Sequence, residues 1–244
     1  MASQFDASAT TAPEQEVRIP IGSVTLDGNL GLVPNARGIV LFAHGSGSSR
    51  HSRRNRFVAS VLREAGLATL LFDLLTPAEE QAERYTGHLR FDLGLLAERL
   101  VGATDWLAQR DETRALPVGY FGASTGGGAA LMAAVERPSL VRAVVSRGGR
   151  PDLAMPVLGR VRAPTLLIVG GNDVPVIEMN RAALDALRCE ARLEIVPGGT
   201  HLFEEPGTLE QVAELATGWF QRHLAGDTGS NPPGPAARES RRAR

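Results

Sequence analysis

Five short, almost wholly apolar runs separated by amphipathic stretches leave few folds open to this chain. They are residues 38–43 (GIVLFA), 68–75 (ATLLFDLL), 118–122 (VGYFG), 141–145 (VRAVV) and 165–169 (TLLIV). A strand that is apolar on both sides must be covered on both faces. Residues 55–65 put Phe57, Val58, Val61 and Leu62 on one helical face. Residues 91–109 repeat apolar positions at i, i+3 and i+4, and 126–136, 178–187 and 209–223 also read as helices. The helix at 126–136 stops ahead of Pro138. Shorter strands are expected at 17–21, 30–33 and 193–196. Strands and helices in this alternation predict an α/β fold, with a mostly parallel twisted sheet and helices on both faces. In such sheets ligands and chemistry gather at the carboxyl ends of the strands.

At 244 residues the chain holds one domain of this kind. Its expected span is 15–224. The flanks 1–14 and 225–244 carry little to bury and are expected to be disordered. The first 14 residues lack the apolar run and basic start of a signal peptide, and no window approaches a membrane span. A cytoplasmic protein with no membrane partner is expected. A net charge of -1 gives no reason to expect a nucleic-acid partner. Every basic residue is Arg and none is Lys, which excludes P-loop ATPases, protein kinases and Schiff-base enzymes, each of which needs a catalytic Lys. The single cysteine, Cys189, cannot form a disulfide within the chain and reads as structural. No HExxH or paired His spacing is present, so neither metal nor cofactor is expected. Oligomeric state is not legible.

The segment Gly122-Ala123-Ser124-Thr125-Gly126 lies between a predicted strand and a predicted helix. It fits G-x-S-x-G, in which small residues flank a nucleophile on a sharp strand-to-helix turn. A serine hydroxyl needs a base to become a nucleophile. Two histidines follow Ser124 in the chain, His201 and His223. His223 lies on the last helix, whereas His201 lies in a Gly-rich turn directly after a strand, which favours His201 as base. The acid that orients it should sit at a strand end between the two, and Asp173 follows 165–169 through Gly170-Gly171-Asn172. Asp152 and Asp185 also fall in the interval. Asp185 is mid-helix and Asp152 suits a helix N-cap. The oxyanion of an acyl-transfer reaction requires two backbone N–H donors. Thr125 is expected to supply one, and Ser46, in the turn His44-Gly45-Ser46 after 38–43, the other.

These motifs, in this order, resemble the α/β-hydrolase superfamily, and within it the dienelactone hydrolase-like branch. The resemblance covers roughly residues 17–224 and rests on His44-Gly45, the G-x-S-x-G segment, Gly171-Asn172-Asp173 and Gly199-Thr200-His201. It implies a single-domain α/β-hydrolase fold and a Ser-His-Asp triad. Dienelactone hydrolases use Cys as nucleophile where this chain has Ser124, which favours ordinary ester chemistry.

The expected activity is hydrolysis of a carboxylic ester or thioester of a small soluble substrate through an acyl-enzyme. An acyltransferase or peptidase would use the same triad, and a binding protein could keep the fold without the chemistry. The interval between 145 and 165 is too short for a large lid, so an open site is expected, with the polar segment 76–90 as a partial rim. Arginines crowd that rim at Arg50, Arg53, Arg54 and Arg56, and again at Arg147 and Arg150. Arg147 or Arg150 is the candidate to read an anionic group on the substrate.

Overall fold

The computed structural model describes residues 14–225. The expected disordered ends, 1–14 and 225–244, lie outside the described residues apart from Glu14 and Ala225. Strands β1 (Gln15–Ile21) and β2 (Val24–Gly31) form an antiparallel hairpin around Gly22, whose φ of 57° requires glycine's freedom. β2 begins six residues before the expected start at 30. Its alternating burial, with Leu26, Gly28 and Leu30 inward, belongs to a strand with one covered face, which a search for continuous apolar runs passes over.

The remaining elements alternate. They are β3 (Ile39–Ala43), α1 (Arg53–Glu64), β4 (Ala68–Phe72), α2 (Pro77–Thr86), a 3₁₀ turn (Leu89–Phe91) and α3 (Leu93–Ala108). Then come β5 (Val118–Ala123), α4 (Thr125–Glu136), β6 (Val141–Arg147), a 3₁₀ segment (Pro151–Arg160), β7 (Thr165–Gly170), α5 (Val174–Ala186), β8 (Ala191–Val196) and α6 (Thr208–Leu224). The eight strands form one sheet in the order β1-β2-β4-β3-β5-β6-β7-β8, antiparallel at the β1 and β2 edge and parallel from β4 onward. The path steps from β3 outward to β4 and then back across to β5, so the strand order reverses between β3 and β5. A crevice opens at the strand tips at such a reversal.

Each central strand feeds two cores. Leu41, Tyr120 and Val144 face α3 and α4, while Phe42, Phe121 and Val145 face α1 and α6. Helix α4 is buried nearly all round, and its small residues Gly126, Gly127, Gly128, Ala129 and Ala130 bring it close to the sheet. Residues 76–90, read from sequence as a polar rim, fold into α2 and the 3₁₀ turn. Thr76 and Glu79 form a reciprocal capping box at the start of α2. The fully buried Glu83 carboxylate then accepts hydrogen bonds from Leu89 N–H and Arg90 Nε at 2.7 and 2.8 Å. Burial opposes its charge, but these bonds prevail and hold the carboxyl down at about 2. Among the described residues no helix is long and apolar enough to cross a membrane.

Two glycines test how tightly α6 is seated. A Cβ on Gly119 in β5 would lie 2.7 Å from the ring of the fully buried Phe220, whereas one on Gly218 would meet nothing within 4 Å. Gly119→Ala is therefore expected to cost about 1–3 kcal/mol through overpacking. Gly218→Ala is expected to stabilise by about 1 kcal/mol through helix propensity. Urea midpoints at unchanged m-value measure both.

Candidate active site

Ser124 stands alone between the last residue of β5 and the first of α4, with φ 51° and ψ −123°. For a residue with a Cβ this conformation costs about 1–3 kcal/mol and persists only where the surroundings impose it. Three hydrogen bonds do so. Ser124 N–H donates to the Arg147 carbonyl at 3.2 Å, and the Ser124 carbonyl accepts from the N–H groups of Gly127 and Arg150, both at 3.0 Å. Sterics complete the constraint. A Cβ on Gly122 would lie 2.5 Å from the Gly126 carbonyl oxygen, and one on Gly126 would run into the carbonyl of Ala43 at the tip of β3. Helix α4 thus begins hard against the neighbouring strand ends, and Ser124 keeps partial exposure at its N-terminus.

Asp173 and His201 come from the tips of β7 and β8. Asp173 occupies the N-cap position of α5, yet its side chain caps nothing. Its Oδ2 instead pairs with His201 Nδ1 at 2.7 Å. The loops that carry them are stitched together. Asn172 N–H donates to the Gly199 carbonyl at 2.9 Å, and the Asn172 side-chain amide donates to the Gly198 carbonyl at 3.0 Å. The His201 ring rests on Gly148, where a Cβ would lie 3.5 Å from Nδ1. Gly148 follows Arg147, whose carbonyl receives Ser124 N–H, so serine, imidazole and carboxylate all lie at the carboxyl ends of the strands. With Nδ1 turned to Asp173, Nε2 is the ring nitrogen left for proton exchange. The other aspartates of the interval lie elsewhere, Asp152 ion-paired to Arg150 and Asp185 on the exposed side of α5. His223 lies on α6, with its ring against Trp219 at 4.5 Å.

The turn after β3 abuts the same serine. A Cβ on Gly45 would lie 3.0 Å from Ser124 Cβ. Ser46 N–H and Thr125, the two expected oxyanion donors, are neighbours, and Ser46 N–H donates to Thr125 Oγ1 at 3.0 Å. The preceding His44, noticed in sequence only as part of a His-Gly pair, has a structural task. Its Nε2 accepts from Leu74 N–H at 3.0 Å, and its Nδ1 faces the Gly45 carbonyl at 3.0 Å. Only a neutral ring, protonated at Nδ1, satisfies both contacts. Burial accordingly holds its pKa below the ordinary 6.5, against the opposing pull of the Gly45 carbonyl, Asp73 and Glu80.

The arginines expected at the rim divide sharply. Arg50 is ion-paired to Asp73 and hydrogen-bonded to Asn29, and Arg54 pairs with Glu204 at 3.0 Å. Arg150, a candidate to read an anionic substrate, has a carboxylate partner. It grips Asp152 with two bonds of 2.9 and 2.8 Å, so its fork and charge are spent two residues along the chain. Arg147 alone is buried at the site with no carboxylate partner among the described residues. Asn55 and Phe203, which touch it, were not singled out in the sequence, because neither residue type at its position signals a contact across 92 or 56 residues.

This sheet order, with its serine turn and strand-tip loops, defines an α/β-hydrolase fold. The model of the dienelactone hydrolase family matches residues 29–224, and the chain belongs to that family. The structure of a dienelactone hydrolase from Anabaena variabilis is 63% identical and covers 88% of this chain and 99% of its own, at a TM-score of 0.86. The esterase domain of a Rhodothermus marinus protein superposes with a TM-score of 0.69 at 22% identity, over 86% of this chain and 99% of its own, a likeness of fold alone. Proteins from two strains of Mycobacterium tuberculosis, carrying a provisional phosphoribosyl transferase name, are 58% identical over 91% of this chain. The chain spans 48% of their length.

The neutral His44 has a consequence for stability. As pH falls the unfolded chain takes up the proton first, near the ordinary 6.5, while the folded ring resists. The stabilisation is thus complete above about 6.5 and is lost as pH drops through the depressed folded-state value. Lowering pH from 7 to 5 is expected to reduce the melting temperature more in the native chain than in His44→Gln. Thermal melts across that range, at fixed salt, check it.

Proposed function

We propose that this chain is a serine hydrolase that cleaves a carboxylic ester or thioester of a small molecule through an acyl-enzyme. The observation that carries the reading is the 2.7 Å pairing of Asp173 with His201 Nδ1, on a ring seated beside the backbone partner of a strained Ser124. No structural need of the fold asks for a carboxylate that abandons its own helix cap to orient an imidazole.

In this reading Ser124 Oγ attacks the acyl carbon while its proton passes to His201 Nε2. Asp173 holds the tautomer and stabilises the imidazolium that forms. The negative oxygen of the tetrahedral intermediate takes the N–H groups of Ser46 and Thr125. The Thr125 hydroxyl, which engages Ser46 N–H in the free protein, keeps the loop in place until the oxyanion claims that donor. Collapse expels the alcohol or thiol, protonated by His201. Water then attacks the acyl-enzyme by the reverse proton path.

Val174, next to Asp173, and Leu202, next to His201, are exposed apolar side chains on the loops that carry the pair. They suit an apolar acyl or leaving group. The interval between β6 and β7 holds one 3₁₀ segment of 10 residues and no large lid, which supports a site open to soluble substrates. The transferase name of the longer relatives is not carried over, since the family model matching this span is a hydrolase family.

A fluorophosphonate probe should label the native chain at Ser124 and leave Ser124→Ala unlabelled. Ester turnover by Ser124→Ala is expected to fall by at least ~10³ in kcat. Because the base acts only when neutral, kcat/KM should decline on the acid side. Unchanged labelling of Ser124→Ala, or equal turnover by it, overturns the assignment.

A further inference from the structure

Along β6 the side chains of Ala143 and Val145 enter the apolar layer beneath α1 and α6, and Arg147 occupies the next position of that series. It is 6% exposed. Two other arginines are comparably buried, and each has a carboxylate: Arg63 pairs with Glu14 at 3.0 Å and Arg99 with Glu79 at 2.9 Å. Arg147 has none among the described residues. Its Nη2 reaches Asn55 Oδ1 at 3.4 Å, its guanidinium lies 5.8 Å from the centre of the Phe203 ring, and its Nε is buried without a partner.

The surroundings add positive charge. Arg54 stands close enough to repel it, and Arg54 Nε is also buried without a partner. Burial, with that repulsion second, pushes Arg147 down to about 10, which leaves it charged at neutral pH. Arg54 and Asn55 belong to the first turn of the 12-residue α1, where the helix end itself favours an anion. A buried cation facing a second cation and a helix N-terminus is destabilising unless a counter-charge arrives. Glu204, the carboxylate engaged by Arg54 Nη1, is mostly exposed.

We propose that Arg147, together with Arg54 and Asn55 in the first turn of α1, forms a binding site for an oxyanion, either a carboxylate or a phosphate group. The planar guanidinium fork suits two oxygens of one such group. The site lies beside the His201 loop: Phe203, which faces Arg147, is two residues from His201, and Gly148, next to Arg147, supports the imidazole. An acidic tail of the hydrolysed substrate can occupy it, and so can a free anion. Binding itself does not depend on the hydrolase reading.

The test titrates inorganic phosphate into the full chain and follows thermal unfolding, with chloride at equal ionic strength as reference. Phosphate at about five times its dissociation constant is expected to raise the melting temperature by about 2–4 °C. Arg147→Met should abolish that rise and melt higher than the native chain without phosphate, because the uncompensated charge is gone. Arg160→Gln, on the 3₁₀ segment after β6, should keep the full rise. An equal rise in Arg147→Met, or none in the native chain, overturns the site. If Arg147→Met does not fold, Arg54→Gln decides: weaker phosphate binding supports the site and unchanged binding overturns it. Matched neutral and anionic esters then separate the sources. A loss of kcat/KM at least ~10-fold greater on the anionic ester assigns the anion to the substrate. Equal effects on both, with the phosphate rise lost, assign the site to a free anion. Failure to cleave any ester would sink the hydrolase reading while leaving the phosphate result in force.

Discussion

Ser124, held at positive φ, depends on atoms from the ends of two neighbouring strands, β3 and β6. The Arg147 carbonyl at the end of β6 takes its N–H, Gly45 after β3 presses against its Cβ, and Gly126 leaves room for the Ala43 carbonyl. Each contact needs a particular register between parallel strands, and the pairing of Ala43 with Gly122 and of Ala123 with Arg147 supplies it. The sheet is therefore the device that holds the serine in its costly conformation.

The charged groups at the strand tips divide into matched and unmatched. Asp173 and His201 satisfy one another, Arg50 has Asp73, Arg150 has Asp152, and Glu83 gathers the N–H groups that follow α2. His44 is buried in the one tautomer its neighbours accept. Against this background Arg147 stands out through lack of compensation rather than through exposure. Solvated surface arginines are common and carry little information, whereas a desolvated one without a counter-ion implies a partner.

Much of this was legible in the linear chain, and the exceptions have physical reasons. The central strands were plain because both their faces are apolar. The start of β2 is not legible because the strand has one covered face, and α2 is not legible because its stability resides in Thr76, Glu79 and Glu83 rather than in an apolar stripe. Helix α5 begins at Val174, ahead of the expected 178, because Pro175 suits the first helical turn, where its missing N–H costs no bond. The pairing of Arg150 with Asp152 is not legible in the chain, because nothing in the order of residues says which arginine a nearby carboxylate will choose.

What the sequence determined by itself is local: the period of apolar residues and the small residues that permit a sharp turn at 122–126. Those follow from backbone sterics and side-chain size, which act between near neighbours. What only the tertiary structure decided is which charges meet. Asp173 and His201 are 28 residues apart, Arg147 and Asn55 are 92, and Ser46 and Thr125 are 79. Electrostatic compensation depends on distance in space and on the exclusion of water, and neither exists until the sheet has assembled.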